Sequence, residues 1–146
     1  MEREELKEFM PHREPMLLLD EATLDENGVA HARYTVRGDE FFLQGHFPGY
    51  PVVPGVILCE MMAQSCCIII REEVIGKTTL YSGIDKLRFR RPVRPGETVE
   101  LESKITNRRG PYFFVEAKAT VNGELCTSGN LSFALIPKEN AEGGKK

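Results

Sequence analysis

A chain of 146 residues has room for one buried core but not for two generous ones, so a single domain is expected. With 41% hydrophobic and 28% charged residues, the composition is that of a packed globular protein and excludes a disordered chain. The net charge of -3 gives no global attraction for nucleic acid, and no uninterrupted apolar run reaches the roughly 18 residues of a membrane span.

In chain order, residues 2–9 are rich in helix formers and stop ahead of Pro11, which predicts a short N-terminal helix. The run MLLLDEA, residues 16–22, is too short for a comfortable helix and predicts a buried strand. In residues 29–37, Ala30, Ala32, Tyr34 and Val36 fall on one side and His31, Arg33, Thr35 and Arg37 on the other, the alternation of a strand. Residues 38–54 carry Pro48, Pro51 and Pro54 among glycines and predict a long ordered loop.

Pro54 suits a first helical turn and Gly76 a helix end, so the apolar stretch between them predicts one helix of about 19 residues, roughly 28 Å long. Its first four turns are apolar all round, which calls for enclosure by other structure. Three of the four cysteines, Cys59, Cys66 and Cys67, fall in this helix and Cys126 lies far beyond it. With no CxxC pair and no His cluster, zinc is not expected; the reading is reduced thiols in a soluble cytosolic protein without a cleaved signal.

Four strands should follow, over residues 79–91, 98–108, 112–121 and 124–136, with Asn122-Gly123 as a hairpin turn between the last two. Two strands, a buried helix and four strands joined by short turns predict an α+β hotdog arrangement, a curved antiparallel sheet wrapped around a long central helix. Residues 1–137 would form this domain. Residues 138–146 have nothing to bury and are expected to be a mobile polar tail.

The stretch GHFPGYPVVPGVILCEMMAQ, residues 45–64, concentrates the chemistry. Glu60 is the one charged residue of residues 56–70, so it must be paired, protonated or facing a cavity. Desolvation raises a carboxyl pKa, which would let Glu60 serve as a general acid near neutral pH; a structural ion pair with a strand Arg or Lys is the alternative. Gln64, one turn on, could orient that carboxyl or satisfy backbone groups. His46 is a candidate base on a mount stiffened by Phe47 and Pro48, although a loop histidine can also be merely exposed. The first N–H groups of the helix, at Gly55, could stabilise negative charge on an oxygen. A base, a buried carboxyl and an oxyanion-binding helix start are the parts needed to remove a proton alpha to a carbonyl.

GHFPGYPVVPGV followed by Glu60 and the MAQ of residues 62–64 closely resembles the active-site motif of the 3-hydroxyacyl-acyl carrier protein dehydratases of the FabZ type. PHREPMLLLD, residues 11–20, is similar to that family's N-terminal motif, and GIDKLRFRRPVRPGE, residues 83–97, to the strand and turn that follow its helix. The resemblance implies a hydro-lyase of fatty-acid biosynthesis that needs no metal or other cofactor. His46 would abstract the C2 proton and Glu60 would help the C3 hydroxyl leave as water. Gly55, Val56, Gln64 and Phe47 would form the substrate-binding set, the Gly55 N–H holding the thioester carbonyl. Glu rather than Asp at position 60 favours the FabZ type over the dehydratase-isomerase FabA type. The resemblance also implies that one site takes its two catalytic residues from opposite subunits of a homodimer, assembled into a trimer of dimers.

Lys86, Arg88, Arg90, Arg91 and Arg94 put five positive charges into nine residues of an acidic protein. If the strand alternates, Lys86, Arg88 and Arg90 share a face, either a solvated one or a docking patch for the acidic acyl carrier protein. His12 is expected to make a structural hydrogen bond, and His31 is assigned no function. A dehydratase that also isomerises the double bond, a hotdog thioesterase and a non-catalytic acyl-binding subunit are the competing readings. Cys59 and the Met61-Met62 pair stand where the family motif suggests other side chains, which bears on the preferred acyl length.

Overall fold

The computed structural model of the chain describes residues 1–138, so the expected tail lies, but for Lys138, outside the described residues. The N-terminal helix α1 (Arg3–Leu6) is one turn long and continues as turns to Met10, whose N–H still bonds Leu6. Strand β1 (Glu21–Leu24) begins later than the leucine run had predicted. Leu17, Leu18 and Leu19 are all buried, but the Leu18 N–H donates to a helix side chain instead of a ladder, so the run packs without strand pairing. Strand β2 (Ala30–Thr35) buries Ala30, Ala32 and Tyr34 as its alternation predicted.

The central helix α2 (Gly55–Ser65) is shorter than the expected 19 residues and continues as a 3-10 helix over Cys66–Ile70. Ser65 Oγ donates to the Met62 carbonyl at 2.7 Å and Cys66 Sγ to the Ala63 carbonyl at 3.0 Å. These side-chain bonds compete for the carbonyls that a continuing α-helix would use and favour the tighter turn. Leu58, Met61 and Met62 join Leu101, Phe113, Val115 and Leu131 in one core. The helix is not enclosed on every side in the single chain, because Val56 is 73% exposed at its N-terminal end. No described helix is long and apolar enough to cross a membrane.

Four long strands complete the fold: β3 (Lys77–Phe89), β4 (Thr98–Arg109), β5 (Tyr112–Val121) and β6 (Glu124–Pro137). The β5–β6 hairpin turns through Asn122 and Gly123, both at positive φ (51° and 80°), the backbone that a two-residue turn needs and that these residue types tolerate. Among the described residues the strands form one antiparallel sheet in the order β1-β2-β4-β5-β6-β3, with α2 against β4 and β5. This is the hotdog arrangement, a curved sheet around one central helix. Strand β3 is therefore an edge, and the register of β3 against β6 slips after Tyr81 and again between Asp85 and Arg88. With Lys86 at φ 54°, simple alternation along the basic run is broken.

Candidate active site

Glu60 projects from the middle of α2 with 21% of its side chain exposed, and three side chains from three parts of the chain converge on its carboxyl. Gln64 Nε2 donates to Oε2 at 3.0 Å from the next helical turn, and Tyr81 donates its hydroxyl to Oε1 at 3.0 Å from β3. His12 Nε2 stands 3.6 Å from Oε2. The Gln64 amide is itself locked, donating to the Met16 carbonyl at 2.8 Å and accepting the Leu18 N–H at 2.8 Å. The leucine segment that failed to become a strand therefore orients the residue that orients Glu60.

Burial pushes the Glu60 carboxyl up, but hydrogen bonds from His12, Gln64 and Tyr81 outweigh it and hold the group below the ordinary glutamate range. The sequence had implied the opposite direction, from desolvation alone; the donors that reverse it come from residues 12 and 81 as well as from the helix. Nor is Glu60 in an ion pair with a strand Arg or Lys among the described residues; the basic side chain beside it is His12. A small cavity beside the carboxyl is lined by His12, Gln64, Cys67, Thr79, Tyr81 and Phe133 among others, and His46 is not one of its walls. His12 Nδ1 and Thr79 Oγ1 are buried there without a hydrogen-bond partner.

His46 sits in the loop ahead of α2, half-buried, and its Nδ1 lies 3.0 Å from the Val52 carbonyl. A carbonyl only accepts, so the proton is on Nδ1 and the Nε2 lone pair is free to take one. The loop is pinned by its own backbone, Val52 N–H to the His46 carbonyl at 2.9 Å and Tyr50 N–H to the Phe47 carbonyl at 2.9 Å. Phe47 stacks on the imidazole with ring centroids 4.2 Å apart, which is the rigid mount the sequence implied.

At the start of α2 the N-cap is Pro54 and no side chain caps the helix, while the Ile57 and Leu58 N–H groups bond the Pro54 carbonyl. The Gly55 and Val56 N–H groups stand ahead of these at the positive end of the helix. A Cβ on Gly55 would lie 2.7 Å from the Phe89 ring, so glycine lets β3 close over the helix start. An open groove there brings Gly55, Val56 and Phe89 together with Arg90 and Arg91.

The basic residues are not equivalent. Arg91 is engaged by Glu97 at 2.7 Å and Glu124 at 3.1 Å, so it braces the turn rather than offering a free charge. Arg94 bonds the Tyr50 hydroxyl and lies 4.8 Å from that ring's centroid, tying the turn to the His46 loop. Lys86, Arg88 and Arg90 are exposed. His31 pairs with Asp25 at 2.9 Å, away from these groups. Tyr81 was not singled out from the sequence, and only a strand register that aims it at α2 could have revealed it. All four cysteines are free and buried, and among the described residues no group of three or more His, Cys, Asp or Glu could hold a metal ion.

A family model described as a FabA-like domain matches residues 10–130. The chain is 45% identical over 135 residues to the 3-hydroxyacyl-acyl-carrier-protein dehydratase FabZ of Clostridium perfringens (strain SM101 / Type A), covering 90% of this chain and 96% of that one. It is 46% identical over 137 residues to the FabZ of Staphylococcus saprophyticus, covering 92% and 94%. Among solved structures it is similar to the dehydratase heterocomplex ApeI:P of Xenorhabdus doucetiae, with a TM-score of 0.82, 18% identity and 97% of each chain covered. It is also similar to the fluoroacetyl-CoA thioesterase FlK, with a TM-score of 0.68, 18% identity, and 87% of this chain and 98% of that one covered. At such identities both structures speak for the fold alone, which dehydratases and thioesterases share. The model and the nearly full-length relatives go further: the chain belongs to the FabA-like family, and the two curated relatives named above are FabZ dehydratases.

Proposed function

We propose that this chain dehydrates (3R)-3-hydroxyacyl groups, carried as thioesters on acyl carrier protein, to trans-2-enoyl thioesters in type II fatty-acid biosynthesis. His46 Nε2 takes a proton from C2 while the Gly55 and Val56 N–H groups meet the charge that grows on the thioester oxygen. Glu60, a carboxylate in the free chain, takes up a proton as the bound acyl chain shuts water out of the site, then gives it to the C3 hydroxyl; the C–O bond breaks and water leaves. Gln64 steadies Glu60, and Phe47 presents the imidazole to the acyl chain. No external cofactor enters the balance. The observation that carries this reading is an imidazole whose Nδ1–H is committed to the Val52 carbonyl, leaving Nε2 as a base, in a chain that holds Glu60 in a cavity beside the central helix.

Because the Glu60 cavity does not include His46, the reading requires a homodimer in which each site combines one chain's histidine with the other's glutamate, in a trimer of dimers. The exposed apolar edge of β3 supports the dimer, since an unpartnered edge invites pairing with another strand. Residues 1–137 act as one domain with a polar tail, cytoplasmic in setting, where four free thiols are stable. Lys86, Arg88, Arg90 and Arg94 steer the acidic carrier protein to the groove at the start of α2, with Arg91 as their brace.

Steady-state dehydration of carrier-bound substrates of several lengths tests the reading. His46→Ala and Glu60→Gln should each lower kcat by about 100-fold or more while circular dichroism is unchanged. Wild-type turnover in either variant would sink the assignment. Release of free thiol would point to a thioesterase, and a 3-enoyl product to an isomerase.

A further inference from the structure

Once Glu60 has delivered its proton, the charge left on its carboxyl has to be met by donors in the site. We infer that Tyr81 is a positioning residue for Glu60, its phenol fixing one oxygen of the carboxyl while Gln64 holds the other with His12 close by, so that the charge left on the acid meets aligned donors. This inference rests on the reading of Glu60 as the acid.

The geometry is bilateral. Tyr81 reaches Oε1 at 3.0 Å and Gln64 reaches Oε2 at 3.0 Å, with His12 Nε2 at 3.6 Å on that same side. Tyr81 is paired in register with Phe133 of β6, and its ring packs on that neighbour at a centroid distance of 5.0 Å. The register slip that immediately follows Tyr81 lets the strand turn its side chain onto α2 instead of continuing the alternation. Desolvation, then the neighbouring Glu60 charge, pushes the phenol up although the residue is 43% exposed in the single chain, so Tyr81 donates and does not take the proton.

The other groups facing the carboxyl do not share this task. From α2 and the turn after it come Cys59, Cys66 and Cys67, whose thiols burial pushes up, Cys67 to about 12, so they stay neutral. From the N-terminal segment comes His12, and from β3 Thr79, whose hydroxyl has no partner. Tyr81 is the donor on Oε1. Removing it should leave the ring in place and the carboxyl half-held.

The test is Tyr81→Phe, which keeps the ring on Phe133. Protein labelled with 13C at its glutamate carboxyls gives the Glu60 titration by NMR, with the resonance identified by its loss in Glu60→Gln. In Tyr81→Phe the Glu60 midpoint should move to higher pH, because the donor favouring the carboxylate is gone. For dehydration, the pH-independent plateau of kcat should fall about tenfold with KM within about twofold, while the high-pH limb moves upward with the Glu60 midpoint. If Glu60→Gln is inactive while Tyr81→Phe has the wild-type midpoint and pH profile, the inference falls alone. If Glu60→Gln turns over like the wild type, the reading of Glu60 as the acid falls whatever Tyr81 does, since the NMR titration needs no turnover.

Discussion

Glu40 is a second carboxylate held by donors, and its job is structural. Its side chain is 4% exposed and accepts the Tyr34 hydroxyl at 2.7 Å and the Arg37 and Gly38 N–H groups at 2.8 Å each. This closes the end of β2 onto the loop that carries His46. Burial pushes its pKa up, yet the two backbone bonds and Tyr34 outweigh that and hold it below the ordinary value. A folded pKa below the unfolded one means the stabilisation is complete above about pH 4.3 and is lost as pH falls through the folded value. Glu40→Gln should therefore lower stability by about 1–3 kcal/mol in urea at pH 7, and the gap to wild type should close as pH is taken below about 4. A gap that stays constant down to pH 3 on the approximate scale of a glutamate titration would rule out the charge as its source. Glu60 was legible because a lone charge on an apolar helix has to be accounted for. Glu40 was not, because it lies in a polar loop and two of its partners are backbone groups that no residue pattern announces. His12 and Tyr81 were hidden for a related reason: each meets Glu60 only after the chain has folded back on itself.

The elements themselves followed the sequence closely where period and turn chemistry agreed, as in β2 and in the β5–β6 hairpin around Asn122-Gly123. Hydrophobicity was a poorer guide where it was continuous. The leucine run reads as a strand only if its backbone finds a ladder, and here Gln64 takes it. Residues 56–75 read as one helix only if the last carbonyls stay in the helix, and Ser65 and Cys66 divert them. Edge strand β3 is fitted to β6 through Gly129: a Cβ there would lie 2.8 Å from Leu87 Cδ1 and 3.2 Å from Leu87 Cα. Leu87 lies in the bulge between Asp85 and Arg88, so its side chain can move aside but its backbone can move only by disturbing the pairs that flank the bulge. Gly129→Ala should cost about 1–3 kcal/mol in urea denaturation and loosen hydrogen-exchange protection along β3 first. A variant as stable as the wild type would show that the sheet yields at this point.

For the whole molecule, the single chain has an incomplete look that composition could not reveal. Leu80, Tyr81, Ile84 and Phe89 are exposed along the β3 edge, and Phe47, Tyr50 and Val56 are exposed close by in sequence to His46 and the start of α2. Soluble edges are normally blunted by charge, so this one fits a surface covered by a second copy. Two-fold symmetry then makes a sharp distinction available. If each site combines His46 of one chain with Glu60 of the other, a heterodimer of His46→Ala and Glu60→Gln contains one doubly damaged site and one intact site. Unfolding and refolding the two inactive variants together in equal amounts should restore about a quarter of the wild-type sites, because about half of the dimers are mixed and each has one good site of two. Either variant refolded alone should restore none. Sites built within one chain would instead leave the mixture as inactive as its parts, since no chain in it carries both residues. The dehydration assay on the refolded mixture, with mass by light scattering to confirm that dimers formed, separates these outcomes without any structure of the assembly.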